Sequence, residues 1–178
     1  LSLVLRRDGY SKLPKDNRWG TFPGISAGWV LSRENFMESC SNVLSYAKIR
    51  ASYGANGNVS GVLDANGNVV TGLDYYTVQG SYGIMKDKDG KIVPNYNGKV
   101  PLMINDLPNP TMRWEKSYTF ETGFDIGFLN NKYILNFTYY NRHTQDKFAE
   151  ITLPSHSGVS SFLSNNGEVQ NQGCLLYT

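Results

Sequence analysis

Apolar and polar side chains alternate along the stretch YILNFTYYNRHTQDK, residues 133–147. Successive side chains of an extended chain point to opposite faces, so this alternation predicts a β-strand with one apolar and one polar face. The apolar face would carry Tyr133, Leu135, Phe137 and Tyr139. The polar face would carry Asn136, Thr138, Tyr140 and Arg142.

The preceding stretch WEKSYTFETGFDIGF, residues 114–128, alternates in the same way and is joined to the first by LNNKY. Asn130-Asn131 suits a two-residue hairpin turn, which needs positive φ at both central residues. Such a turn aligns apolar with apolar and polar with polar residues: Phe128 with Tyr133, Ile126 with Leu135, Phe124 with Phe137, Asp125 with Asn136, Gly123 with Thr138, and Glu121 with Tyr140. Because a one-residue slip would invert every side chain, this agreement predicts both the hairpin and its register.

Other segments show the same alternation, and together they predict an all-β, antiparallel fold of about six strands. The strands are expected near residues 1–6, 21–31, 46–55, 114–128, 132–148 and 166–178. Between the second and third strands, SRENFMESCSNVLS is expected to form one short helix with Ser32 as its N-cap.

The connections between these strands alternate between short and long. The turn at Asn130-Asn131 and the link at residues 32–45 are short, whereas the connections at 7–20, 56–113 and 151–165 are long and rich in Gly, Pro, Asn and Ser. The longest contains two hairpin-turn signals, Asn66-Gly67 and Asp89-Gly90. Long loops at one end and short turns at the other are typical of an outer-membrane barrel with extracellular loops, which makes the short helix periplasmic.

The apolar face of such strands contacts either lipid or a second sheet. Strand 114–128 is about 15 residues long, whereas soluble strands usually have about 5–6 residues and barrel strands need about 9–11 to cross a bilayer. Charged residues on the polar face, such as Lys48 and Arg50, favour a wet lumen. We therefore predict part of a transmembrane barrel; the alternative is a secreted β-sandwich that binds glycans.

Composition narrows the classes of function. The chain has 178 residues, a net charge of +2 and no basic stripe, so we expect no nucleic-acid partner. It contains no run of 18 apolar residues that would predict a transmembrane helix. Cys40 and Cys174 lie far apart in different contexts, and we interpret them as two separate small apolar side chains; the alternative is a disulfide between them.

Candidate chemistry is sparse. His143 and His156 lack partners at ligand spacing, and the segment from Asp87 to Gly90 does not fit a calcium loop, so we predict neither a metal site nor a cofactor. We find no catalytic constellation and expect no enzyme activity. Aromatic loop residues are candidates for substrate or partner contact: Tyr75, Tyr76, Tyr82 and Tyr96. The polar residues expected to face the lumen are Glu121, Asp125, Asn136, Tyr140 and Arg142.

Five ordered blocks carry a resemblance to a known family: GYSKLPKDNRWGTFPGISAGWVLSRENFM, AKIRASYGANGN, LPNPTMRWEKS, ETGFDIGFLNNKYILNFTYYNRHTQDKF and LPSHSGVSSFLSNNGEVQNQG. In this order they resemble the SusC/RagA family of TonB-linked outer-membrane transporters. Trp114-Glu115 matches a motif of that family at the outer strand end, where it is expected to anchor the long loop to the barrel rim. After NNGEVQNQG the family continues with an aromatic residue and a Glu, and CLLYT departs from that pattern.

The resemblance implies a Gram-negative outer-membrane importer of oligosaccharides or peptides, built on a plugged 22-stranded barrel. It also implies a SusD-like surface lipoprotein, a TonB complex that pulls on an N-terminal plug, and a lipid bilayer as partners. About six strands cannot close a barrel of that size. We therefore expect this chain to be a fragment of the barrel, with the plug and the TonB-contacting segment absent from it.

Overall fold

The computed structural model describes residues 1–40, 43–63, 69–73, 75–93 and 96–178. The chain folds mainly into strands: β1 Ser2–Gly9, β2 Trp19–Val30, β3 Leu44–Asn58, β4 Val62–Leu63, β5 Val69–Thr71, β6 Ser81–Ile84, β7 Leu102–Asp106, β8 Glu115–Phe128, β9 Tyr133–Thr152 and β10 Ser161–Tyr177. Helical pieces are short: α1 Tyr75–Gln79 and 3₁₀ turns at Lys15–Asn17, Leu31–Arg33, Asn35–Cys40, Tyr96–Gly98 and Ser155–Ser157.

Six long strands form one antiparallel sheet in the order β1-β2-β3-β8-β9-β10. The all-β antiparallel prediction is confirmed. β1 and β10 each have one neighbour, so the described strands form an open sheet. Two small antiparallel pairs, β4–β5 and β6–β7, lie within the long connection between β3 and β8.

The predicted register of the β8–β9 hairpin is confirmed at every predicted pair, including Phe124 opposite Phe137 and Asp125 opposite Asn136. The rings of Phe124 and Phe137 stack with centroids 5.1 Å apart. The turn differs in one respect, because Leu129 also has positive φ, at 48°, beside Asn130 at 57° and Asn131 at 61°. The paired strands therefore end one residue earlier on each side than a two-residue turn predicts.

The link between β2 and β3 corrects one prediction. Ser32 is not an N-cap, and the link is not an α-helix: it forms two 3₁₀ turns, Leu31–Arg33 and Asn35–Cys40. The Glu34 N–H bonds the carbonyl oxygen of Leu31 at 3.0 Å, which closes a turn around Ser32. Glu34 itself is extended, with φ −88° and ψ 141°, and this interrupts the helical path.

Strand pairing keeps the two faces separate across the sheet. We call the side with Phe137 the apolar face and the side with Tyr140 the polar face. One cross-strand row of the apolar face runs Trp29, Ile49, Phe124, Phe137, Leu176. One row of the polar face runs Ser26, Ser52, Glu121, Tyr140, Gly173. Apolar side chains such as Ile25, Ile49 and Phe120 remain 41–47% exposed, so no second layer covers them in the described part of the chain.

The buried core lies at one end of the sheet. We call it the loop end, because the long connections meet there, and the opposite end the turn end. The core consists of Leu13, Phe22, Leu73, Met112, Trp114, Phe148 and Leu163. The indole of Trp114 makes an edge contact with the ring of Phe22 at a centroid distance of 5.5 Å. Connections packing against the ends of strands β2, β9 and β10 therefore build this core.

Gly57 on β3 leaves room for this core. A Cβ at Gly57 would lie 2.0 Å from the Phe22 ring, so any side chain forces that ring to move. We predict that Gly57→Ala destabilises the protein by about 1–3 kcal/mol, the usual cost of overpacking. A lower thermal unfolding midpoint of the protein in detergent would measure this.

Gly54→Ala is the matched control on the same strand. Its added Cβ would have its nearest neighbour at 3.7 Å, an ordinary contact. Equal midpoints for the two variants would contradict the packing of Phe22 against Gly57.

Candidate functional site

The predicted lumen-facing residues share the polar face. Glu121, Asp125, Asn136, Tyr140 and Arg142 occupy alternate positions of β8 and β9 that pair across the hairpin. Glu121 lies directly opposite Tyr140, and Thr119 lies opposite Arg142. The hairpin register thus gathers all five side chains on one surface.

Arg50 links three strands of this face. Its Nη2 donates a hydrogen bond to Thr138 Oγ1 at 2.6 Å, and its Nε lies 3.6 Å from Asp125 Oδ2. Sequence reasoning placed Arg50 on the polar face but did not find these partners. A glycine between the partners could have indicated them. Gly123 lies opposite both Arg50 and Thr138 and leaves the space that the guanidinium crosses.

A shallow groove runs beside these residues. Gly24 and Gly54, paired across β2 and β3, form part of its floor. Its polar lining residues include Ser2, Ser26, Ser52, Asn56, Thr119, Glu121 and Arg142. Hydroxyl, amide, carboxylate and guanidinium groups together can donate to and accept from a polar ligand, but they form no nucleophile–base pair.

The four candidate loop tyrosines are spread over different elements. Tyr82 lies on β6 and is 74% exposed. Tyr75 and Tyr76 belong to α1, and Tyr96 begins a 3₁₀ turn. The side chains of these three lie outside the described residues.

The two predicted hairpin turns in the long connection have different outcomes. Asn66-Gly67 lies outside the described residues. Asp89-Gly90 does form a turn: Lys86 pairs with Ile92, and Gly90 has a φ of +79°. Asp87 Oδ1 accepts the N–H groups of Asp89 and Lys91, so this carboxylate serves the turn.

Glu115 holds the loop end together. Its carboxylate is buried, with 2% exposure, and accepts two hydrogen bonds. The backbone N–H of Phe148 donates to Oε1 at 2.7 Å, and Asn58 Nδ2 donates to Oε2 at 2.8 Å. One side chain therefore joins β3, β8 and β9 where the long connection leaves and re-enters the sheet.

Two asparagines join the end of the long connection to β10. Asn109 Nδ2 donates to the carbonyl of Leu163 at 2.9 Å. Asn165 Nδ2 donates to the carbonyl of Arg113 at 2.9 Å, and the Arg113 N–H donates back to Asn165 Oδ1. These reciprocal bonds fix residues 109–113 against the neighbouring strand.

An ion pair adds to this attachment. Arg113 Nη2 lies 2.6 Å from Asp146 Oδ1, in a bulge of β9 where Asp146 has a φ of 56°. The hydrogen bond to Asp146 raises the pKa of Arg113 above its ordinary value.

The connection between β1 and β2 is held to the same place. Trp114 Nε1 donates to the carbonyl of Arg18 at 3.1 Å, and Asn17 Nδ2 donates to the carbonyl of Met112 at 3.0 Å. We call Asn109, Arg113, Trp114, Glu115 and their partners the rim clasp. It ties the β1–β2 and β3–β8 connections to each other and to strands β9 and β10.

The histidines and Cys174 have ordinary surroundings. His143 Nε2 contacts Glu168 Oε1, and His156 lies in the 3₁₀ turn Ser155–Ser157. Cys174 is a free, exposed thiol on β10. Among the described residues, no three His, Cys, Asp or Glu side chains are grouped so that they could hold a metal ion.

No helix within the described ranges is both long enough and apolar enough to cross a membrane.

Other proteins resemble this chain of long strands and long connections. The model of the family described as TonB dependent receptor-like, beta-barrel matches residues 1–174. The chain belongs to this family. The SusC/RagA resemblance is thereby confirmed, and curated relatives agree: TonB-dependent receptor P3 of Formosa agariphila is 34% identical over 172 residues, and TonB-dependent receptor SusC of Bacteroides thetaiotaomicron is 31% identical over 173 residues.

Solved structures give the same result. The RagAB peptide importer in the "closed-closed" state matches with a TM-score of 0.74 and 25% identity, over 98% of this chain. The alignments to the curated relatives cover 97% of this TonB-dependent receptor chain but 15% and 16% of theirs, and the RagAB match covers 17% of that chain. The chain thus spans about a sixth of the length of the proteins it matches.

The family match ends at Cys174. The strand nevertheless continues, with Leu175 opposite Thr138 and Tyr177 opposite Asn136. Two large side chains therefore occupy polar-face positions at the end of β10.

The rim clasp can be tested through Glu115. Glu115→Ala leaves the buried Phe148 N–H without its acceptor, and a buried unsatisfied group costs about 1–3 kcal/mol. It also removes the acceptor of the exposed Asn58 amide. We expect a lower thermal unfolding midpoint and faster proteolysis of the connection at residues 59–114. Glu121→Ala, on the same strand and face, is the control. Equal effects of the two substitutions would contradict the anchoring role of Glu115.

Proposed function

We propose that this chain forms part of the barrel wall and the extracellular loops of a TonB-dependent importer in a Gram-negative outer membrane. The importer takes up oligosaccharides or peptides and performs no bond chemistry. Family membership supports this proposal, as do relatives whose names are SusC and RagAB peptide importer.

The observation that carries the proposal is the exposed apolar face. The row Trp29, Ile49, Phe124, Phe137, Leu176 is apolar on five neighbouring strands. An uncovered apolar surface of this extent is unfavourable in water and favourable against lipid. The polar face, with its charged groups, then lines the aqueous lumen.

The upper boundary of the apolar face adds support. The row Leu3, Ile25, Tyr53, Phe120, Asn141, Gln172 is apolar on four strands and polar on β9 and β10. The boundary is therefore oblique to the hydrogen-bonded rows. Barrel strands are tilted by roughly 35–45°, so a flat membrane surface crosses such rows obliquely.

The polar face contributes to the path of the ligand. Glu121, Asp125, Asn136, Tyr140 and Arg142 face the lumen, and the groove beside Gly24 and Gly54 offers hydrogen-bonding groups to a passing polar molecule. Arg50, held by Asp125 and Thr138, stiffens this wall. The loop tyrosines Tyr75, Tyr76, Tyr82 and Tyr96 contact the ligand or a partner above the wall.

Energy and gating come from partners of the whole protein. A SusD-like surface lipoprotein covers the loops, and a TonB complex acts on a plug. The rim clasp gives such a lid a firm base, because it joins two long connections to strands β3, β9 and β10.

A label scan along β9 tests the orientation of the wall. Single nitroxide labels are placed at residues 135–140 of the whole protein in lipid vesicles. Their accessibility to oxygen and to a water-soluble nickel complex should alternate along the strand. Odd positions should collide with oxygen, which concentrates in lipid, and even positions with a water-soluble nickel complex. A label at Phe137 that reports water would contradict the lipid-facing assignment.

Transport is tested in cells that lack the gene for the whole protein. Uptake of an oligosaccharide mixture and of an oligopeptide mixture is compared with and without the restored gene. We expect one of the two to depend on the gene and to stop when a protonophore removes the energy source of TonB. Uptake that is unaffected by gene and protonophore alike would contradict the importer.

A further inference from the structure

The 3₁₀ link between β2 and β3 extends the apolar surface at the turn end. Phe36 on the link is 63% exposed, and its ring makes an edge contact with Trp29 at a centroid distance of 6.4 Å. Trp29 is itself 53% exposed and belongs to the apolar face. Two large aromatic rings therefore stand together, uncovered, at the edge of that face.

Leu31 makes this surface continuous with the sheet. It lines a shallow apolar depression on the apolar face together with Ala47, Ile49, Phe124, Ile126 and Phe137. By contrast, Arg33, Asn35 and Glu38 of the link are exposed polar residues. The link is thus amphipathic, and its apolar side continues the apolar face.

The indole of Trp29 has a partner that sets its depth. Its Nε1 donates a hydrogen bond to Glu34 Oε1 at 2.9 Å. A carboxylate is too costly to place in hydrocarbon, so Glu34 must stay at the level of water and headgroups. Tryptophan prefers this same boundary, where its ring is in an apolar layer and its N–H is near polar groups. The Trp29–Glu34 pair therefore indicates where the boundary between water and hydrocarbon crosses this strand.

Tyr133 is a further exposed aromatic residue at the turn end, on another strand. It begins β9 on the apolar face and is 60% exposed. Aromatic residues of this kind form the girdles of outer-membrane barrels at the two interfaces.

From these contacts we infer that residues 31–38 are an interfacial anchor. This inference rests on the proposed function, in which the apolar face meets lipid. The link lies in the phospholipid headgroup layer at the turn end, with Phe36 inserted toward the acyl chains and Arg33 and Glu38 in water. Lipid is the occupant because the exposed rings continue a face that lipid covers, and Glu34 places that continuation at the water boundary.

Depth measurements on the whole protein in phosphatidylcholine–phosphatidylglycerol vesicles test the anchor. Cysteine is introduced singly at Phe36, Glu38 or Phe137, in a variant whose native cysteines are replaced by serine, and is labelled with a nitroxide. The ratio of oxygen to nickel accessibility should be highest at residue 137, intermediate at 36 and lowest at 38. Glu38 is the matched control, because it lies on the same link with a polar, exposed side chain.

The outcomes separate the anchor from the proposed function. A lipid-type ratio at residue 137 with equal, water-type ratios at 36 and 38 overturns the anchor alone. A water-type ratio at residue 137 overturns the proposed lipid face and the anchor with it.

A second measurement keeps the aromatic shape at residue 36. Benzoyl-phenylalanine at this position should form adducts with phospholipid on illumination, which mass spectrometry detects. The same group at residue 38 should give far fewer lipid adducts. Equal yields at the two positions would also overturn the anchor.

Discussion

The pairing of β8 with β9 determines on which face of the sheet each side chain lies. Side chains in a strand alternate with a period of two, so this pairing assigns every residue of both strands to a face. β3 and β10 add to the outer edges of this hairpin in registers that keep the same assignment, and β2 and β1 follow β3. A slip of one residue would bring Asp125 and Glu121 to the side of Phe124 and Phe137, whether that side faces lipid or protein.

Among the described residues the sheet has no second layer, so its ends need another source of cohesion. At the loop end the rim clasp supplies it, since Glu115 satisfies donors from two other strands and Trp114 packs between connections. These partners are far apart in the sequence, so the clasp closes long loops and fixes both ends of the connection at residues 59–114.

Sequence reasoning succeeded where structure is local. The hairpin at Asn130-Asn131 was predictable in full register because both strands and their turn are adjacent in the chain, and one periodicity test checks every pair. The clasp was predictable only as a role for Trp114-Glu115, since its partners Asn58, Phe148 and Arg18 come from other elements. The capped helix at Ser32 was wrong because a capping pattern does not reveal how a short link must bend between two paired strands.

The two ends of the wall are thus stabilised by different physics. The loop end buries its apolar side chains within the protein, whereas the turn end leaves Trp29, Phe36 and Tyr133 exposed. Exposure of those three residues would be unfavourable in water. In a bilayer the same residues would favour one position of the sheet along the membrane normal. Protein packing therefore sets the position of the loops relative to the sheet. In the proposed importer, lipid would set the position of the sheet relative to the membrane, and the two constraints together would hold the loops at a defined height above the membrane surface.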